Sequence, residues 1–168
     1  MTRGAAALAA LVLAGCAPGV LNAGLLRDPQ SAAQDPAAPE LALLELRLAR
    51  WYRDNPGGHA CAGVRQTTQE TVGPLADESV LRARFPALLP LDRCRVIGTL
   101  VVDRETGQQA ALFDVHEPEW RGTGVYRAYA GYRMDARRNG WGYYEARYER
   151  GAWRVRDQDL DIIVTGDT

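Results

Sequence analysis

Residues 125–149 read VYRAYAGYRMDARRNGWGYYEARYE, and this stretch decides the fold. From Val125 to Ala136 the residues alternate. Tyr126, Ala128, Ala130, Tyr132 and Met134 fall on one face, and Arg127, Tyr129, Arg133 and Asp135 fall on the other. A period of two is the signature of a strand with one buried face. Asn139-Gly140 then supplies a strong hairpin signal, because both residues tolerate positive φ. Trp141 to Glu149 returns across that turn, and Arg150-Gly151 turns the chain again into a last strand, Trp153 to Val164.

Working back from the hairpin, Val96 to Asp103 is rich in β-branched residues, and Glu105-Thr106-Gly107 turns it into a strand over Gln109–His116. Pro118 to Gly124 reads as a loop. Earlier still, Leu41, Leu44, Leu48 and Trp51 recur at helical spacing. Pro39 suits a first turn, Glu40 favours the positive end of the helix dipole, and Asn55-Pro56-Gly57-Gly58 stops a helix that begins at Pro39 and ends near Arg53. A shorter helix is predicted from Asp77, as N-cap, to Phe85, with Val80, Leu81 and Phe85 inward and Pro86 ending it. Val64 to Val72 leans toward extended structure. The pattern predicts an α+β domain, with one long and one short helix on a curved antiparallel sheet of about five strands.

The N-terminus follows a different logic. One positive charge (Arg3), an apolar run from Ala5 to Leu13 and a small-residue end follow the layout of a secretory signal. The run is about half of the ~20 residues that cross a bilayer. Leu13-Ala14-Gly15-Cys16 looks like the lipobox of bacterial lipoproteins. That resemblance implies cleavage before Cys16, lipidation of Cys16 with palmitate-type chains, and a place in the cell envelope, outside the cytoplasm and anchored to a membrane. The chain then divides into a signal peptide (1–15), a lipidated cysteine and flexible tether (16–38) and a single domain (39–168). A coil of the tether's length spans about 25 Å.

Composition bounds the rest. The chain has 168 residues with 20 basic and 21 acidic, and all 20 basic residues are Arg. Losing Arg3 with the signal moves the net charge from −1 to −2. With Cys16 taken by lipid, Cys61 and Cys94 are most simply a disulfide in an oxidising space. A zinc site from His59, Cys61, Cys94 and His116 matches no usual ligand spacing, so no metal is expected. No cofactor is expected either.

Helix order and the closing Gly151-x-Trp153-x-Val155 resemble the cystatin-like or nuclear-transport-factor-like cone folds over about residues 39–164. The resemblance implies a helix packed into a curved sheet. Enzymes of that kind place a His, Asp or Tyr in the cone's mouth, and no motif here fixes such positions.

Two constellations remain. Asp114 and His116 lie two apart on a strand and so share a face, where Asp114 could orient an imidazole base or join Glu119 as a ligand set. Asp135 is a second carboxylate candidate for His116. A strand end carrying solvated charges is the plainer reading of this segment. Second, residues 121–156 hold nine Arg, six of the seven Tyr, Trp141 and Trp153. Arg127, Tyr129, Arg133, Tyr144 and Arg147 are the candidate binding residues of this face. Outside the cytoplasm its ligands would be an anionic glycan, a lipid head group or an envelope protein, not nucleic acid. Asp157, Asp159 and Asp161 on the last strand could neutralise part of that charge; on a strand, they do not form a calcium loop. No serine-hydrolase elbow or phosphate loop is present. The reading is a non-catalytic, lipid-anchored binding module. A small-molecule enzyme with His116 as base, or a structural envelope lipoprotein, is the alternative.

Overall fold

The computed structural model describes residues 38–65 and 71–158. The lipobox, Cys16 and the tether up to residue 37, and Asp159 and Asp161, lie outside the described residues. Among the described residues no helix is long and apolar enough to cross a membrane.

Helix α1 spans Pro39–Asp54 and buries Leu41, Leu43, Leu44, Leu48 and Trp51. It ends where Asn55 folds back, its amide donating to the Trp51 carbonyl at 2.8 Å and its side-chain Nδ2 to the same oxygen at 3.0 Å. Strands β1 (His59–Arg65) and β2 (Val72–Gly73) follow, then α2 (Ser79–Arg84). The N-cap of α2 is Glu78, not Asp77 as expected, and it makes no side-chain cap; Asp77 stands one residue earlier, its carboxylate accepting from the Ser79 amide at 2.9 Å. Next come β3 (Cys94–Ile97), β4 (Leu100–Asp103), β5 (Ala110–Trp120), β6 (Val125–Arg133), β7 (Asn139–Glu149) and β8 (Ala152–Asp157). The fold is α+β, with the helices on a largely antiparallel sheet.

That sheet has six strands in the order β2-β1-β5-β6-β7-β8, where five were expected, and β3-β4 form a separate pair. Four of the expected strands, β5 to β8, belong to it; the two others are the short edge strand β2 and its neighbour β1, which is parallel to β5. Ala60, Cys61 and Ala62 are fully buried. Strands buried on both faces lose their polar alternation, which is why His59–Arg65 does not announce itself. The strand expected over Val96–Asp103 is instead a hairpin, turned at Gly98 with φ +59°.

The β6–β7 hairpin exists, but its turn is not Asn139-Gly140. Asn139 and Gly140 pair with Arg133 and Tyr132 inside the ladder. The turn is Met134–Arg138, built on Asp135, whose Oδ1 accepts from the amides of Arg137 (2.9 Å) and Arg138 (2.8 Å). Nor is Pro118 in a loop. β5 continues to Trp120 through a bulge between His116 and Glu119, where Glu117 takes φ +52°.

α1 covers one face of the sheet, called here the inner face. Tyr126, Ala128, Ala130, Tyr144, Ala146 and Trp153 point into it. The alanines give the helix room to approach, while Trp51 meets Phe113 edge-on at 5.8 Å. Each fully buried Leu of α1 contributes about 1.5–3 kcal/mol relative to exposure. α1 runs in the same direction as β6. Arg47 reaches the Gly140 carbonyl at 3.2 Å and Trp51 packs on Phe113, which pairs with Tyr132, both at the far end of the sheet, while Arg50 reaches Asp157, opposite Tyr144, at 3.7 Å. The start of α1 therefore lies toward the opposite end, that of Tyr126, whose phenol burial, with the Glu40 charge as a smaller cause, holds well above the usual range.

On the outer face the disulfide Cys61–Cys94 staples the β3-β4 hairpin to β1, over a small second core of Val101, Ala110 and Leu112.

Candidate functional site

The outer face beyond the stapled hairpin carries the residues singled out from sequence. Asp114 is fully buried and gathers three partners. Its Oδ2 lies 2.9 Å from Arg65 Nε and 3.1 Å from His116 Nδ1, and its Oδ1 accepts from Trp141 Nε1 at 3.3 Å. Strand register explains the gathering. Asp114 stands opposite Gly131, which stands opposite Trp141. Gly131 has no side chain, so the Trp141 ring lies over it: a Cβ there would come within 2.6 Å of Trp141 Cδ1.

One step along the ladder, His116 pairs with Tyr129 and Tyr129 with Tyr143. The His116 and Tyr129 rings stack at 5.4 Å with 9° between planes, and Tyr129 and Tyr143 lie 4.9 Å apart. Trp141 meets His116 edge-on at 6.3 Å. These four rings form one partly exposed strip, with the His116 side chain 19% exposed.

Beside the strip runs a charged row. Glu145 Oε2 accepts from Arg127 Nε at 2.8 Å and Glu145 Oε1 from Arg147 Nε at 2.6 Å. The Arg147 and Arg127 guanidiniums hold the Glu145 carboxyl below its ordinary range. The single Glu145 carboxylate thus holds both guanidiniums and cancels one of their two charges, a role expected of the acidic set on the last strand. Asp157, the described member of that set, pairs with Arg50 of α1.

Two sequence-derived candidates do not belong to this face. Tyr144 is fully buried on the inner side, its hydroxyl accepting from Arg47 Nη1 at 2.8 Å. Tyr143 and Tyr144 are adjacent, so a strand must send them to opposite faces, and Tyr143 is the surface residue. Asp135 is not beside His116. It is the pivot of the Met134–Arg138 turn, held by Arg138 Nε (2.8 Å) and Gln109 Nε2 (2.9 Å), and the Arg138 and Arg137 amides keep its carboxyl far below the usual range. Arg133 is on the outer face but away from the strip, with its buried Nε lacking a hydrogen-bond partner among the described residues. It lines a cleft of about 480 Å³ with Val72, Leu91, Arg95 and Val96.

The zinc reading has no support. Cys61 and Cys94 are joined to each other, and His59 lies 3.5 Å from Asp103, itself bound by Arg93. Among the described residues no group of His, Cys, Asp and Glu is arranged to hold a metal ion. Chemically, the Asp114–His116 pair has the geometry of an oriented imidazole, though further clefts of about 710 and 370 Å³ are lined by other residues. Sequence reasoning missed Arg65 and Trp141 as partners of Asp114; Arg65 arrives through the parallel β1–β5 pairing and Trp141 through the β5–β6–β7 register across Gly131, neither of which a local pattern encodes.

A scan of protein-family models, a search of curated proteins and a search of solved structures each find no match.

Proposed function

We propose that the chain is a lipid-anchored protein of the bacterial cell envelope, and that its domain is a non-catalytic binding module working through the outer face of the sheet. The observation that carries the binding reading is the strip His116–Tyr129–Tyr143 with Trp141: four partly exposed rings on adjacent strands, on the face that α1 leaves uncovered. The inner face, where a cone fold would hold a ligand, is filled by α1. Of the three ligand classes the segment suggests, a glycan fits best. Arg127 and Arg147 share the one Glu145 carboxylate, which fixes both guanidiniums and cancels one of their two charges, so the four rings are the larger uncommitted contact surface. The lipid anchor rests on Leu13-Ala14-Gly15-Cys16, and kinship with the cone folds rests on a helix lying along the sheet's inner face.

The test is binding of a soluble envelope polysaccharide by the full chain, read by calorimetry at low and high salt. The reading expects Tyr129→Ala with Tyr143→Ala to abolish binding, and salt to change it little. Binding that survives the double substitution and vanishes in salt would sink it.

The second reading, an enzyme with His116 as general base, is favoured by the 3.1 Å Asp114–His116 contact. His116→Ala should then remove turnover of a bound small molecule and leave its binding intact. Turnover surviving that change eliminates the enzyme.

A further inference from the structure

Among the described residues, Trp120 is exposed on an otherwise well-packed inner face. It stands past the His116–Glu119 bulge, is 53% exposed, and is held by edge contacts to Tyr126 at 5.2 Å and Trp153 at 5.9 Å. Two turns flank it. Arg121 begins the β5–β6 turn, whose Gly124 carbonyl accepts from the Tyr148 amide at 2.8 Å. Arg150 and Gly151 make the β7–β8 turn with φ of +55° and +79°, the two positive values of a type I′ turn, which throws the Arg150 side chain outward. Arg121 and Arg150 are exposed; Arg121 lies 2.8 Å from Glu119, and Arg150 has no ion pair among the described residues.

The chain itself says what this end faces. Arg47 on Gly140 and Trp51 on Phe113 hold the second half of α1 at the Tyr132–Gly140 end of the sheet, so Ala38, the first described residue, enters the domain from the opposite end, which bears Trp120. Only the 21 residues from 17 to 37 separate Ala38 from Cys16. The rest of this inference rests on Cys16 being lipidated. Given that anchor, the end carrying Trp120 is the end of the domain nearest the bilayer. Tryptophan is enriched at the membrane–water interface, where its ring sits among headgroups, and arginine pairs bidentately with phosphate. A tethered contact needs little intrinsic affinity, since the anchor keeps the effective concentration high.

We propose that Trp120, with Arg121 and Arg150, seats this end of the sheet on the phospholipid interface and so points the β3-β4 hairpin and the Met134–Arg138 turn away from the membrane.

The experiment uses the full lipidated chain reconstituted in phosphatidylethanolamine–phosphatidylglycerol vesicles, with part of the lipid brominated near the headgroup, and reads tryptophan fluorescence. Partial quenching is expected, lost in Trp120→Phe, retained in Trp141→Phe and reduced in Arg121→Glu with Arg150→Glu. A Trp120→Phe protein quenched as strongly as the parent overturns the proposal. Flotation of the parent and of Cys16→Ser separates the two layers. If the parent floats, Cys16→Ser does not, and Trp120 is unquenched, the anchor stands and the seating falls. If the parent fails to float, both fall.

Discussion

Arg47 of α1 donates from Nη1 to the Tyr144 hydroxyl at 2.8 Å, and neither side chain is more than 6% exposed. Its second terminal nitrogen reaches the Gly140 carbonyl at 3.2 Å, so a cation on the helix is tied to two points of β7. The aliphatic stem and the Tyr144 ring meet as well, with the guanidinium carbon 5.9 Å from the ring centroid. The contact locks helix to sheet beneath the face on which the aromatic strip stands.

Tyr144→Phe should therefore cost stability without touching any surface function. Removing one partner of a buried, charge-assisted hydrogen bond costs about 1–3 kcal/mol, because the donor stays desolvated. Arg47→Met in the Tyr144→Phe background should recover part of the loss, since both polar ends are then gone. Urea melts of the two single variants and the double variant measure the coupling. Strict additivity would show that the two side chains do not act as a pair.

Much of this arrangement is legible in the sequence, and the exceptions have physical causes. The alternation from Tyr126 to Met134 names the inner face of β6 correctly, because one side of that strand packs on α1 and the other meets water. It fails at Tyr143-Tyr144, where two identical residues carry no hint of which one is buried. It fails also at β1, whose Ala60-Cys61-Ala62-Gly63 is covered on both sides and so alternates in nothing. Asn139-Gly140 misleads for a different reason. Asp135 captures two backbone amides and closes the turn earlier, which leaves the better turn dipeptide inside the ladder. The Asp114–His116 pair was readable from strand spacing; its links to Arg65 and Trp141 were not, because they cross strands far apart in sequence.

Asp114→Ala should destabilise the domain by about 2–3 kcal/mol, the scale for removing a buried charged acceptor from its donors. Arg65, His116 and Trp141 would all lose the same partner. Asp114→Asn keeps the shape and one acceptor for the Trp141 indole, so it should cost less. Chemical denaturation orders the two variants; an Asn variant as unstable as the Ala variant would mean that the charge, not the hydrogen bonding, holds the site together.

Acid should weaken the fold within a defined window. The Arg93 guanidinium, with the Thr106 hydroxyl and the Glu105 amide, holds the Asp103 carboxyl far below its ordinary range against the opposing effect of burial. Asp135 and Glu145 are depressed in the same direction. A carboxyl whose folded value lies below its unfolded one binds protons first in the unfolded chain. Its contribution is then present above about pH 4, the unfolded value, and is lost as pH falls through the window beneath it. Thermal midpoints should be flat from pH 7 to about pH 5 and decline below about pH 4. Asp103→Asn should make that decline shallower; an unchanged slope would remove Asp103 as a cause.

Reduction of Cys61–Cys94 frees the β3-β4 hairpin from β1 across a sequence separation of 33 residues. Chain entropy puts the loss at about 3–4 kcal/mol. Cys61→Ala with Cys94→Ala should therefore lower the denaturant midpoint while leaving the aromatic strip's ligand binding in place at low temperature, since none of its rings lies in the hairpin. Binding lost together with the disulfide, in a protein still folded by circular dichroism, would show that the hairpin itself forms part of the binding face.

Gly131→Ala gives the sharpest test of how the strip is held. A methyl group at this position would meet the Gly140 carbonyl oxygen at 2.2 Å and Trp141 at 2.6 and 2.7 Å, and two of those three contacts are backbone. No rotamer change relieves a backbone clash, so β6 and β7 must separate locally and the Trp141 indole must leave Asp114. The cost should be about 2–3 kcal/mol, in the range of overpacking in a close-packed interior. Binding should also weaken, because Trp141 edges His116 and the strip depends on its place. Gly73→Ala is the control: this residue lies in the short edge strand β2, and its nearest neighbour would be the Val64 carbonyl at an ordinary 3.6 Å. Stability by denaturant and binding by calorimetry, measured for both variants, decide the matter. A Gly131→Ala protein as stable as the Gly73→Ala control would mean that the Trp141–Gly131 stacking does not position the site.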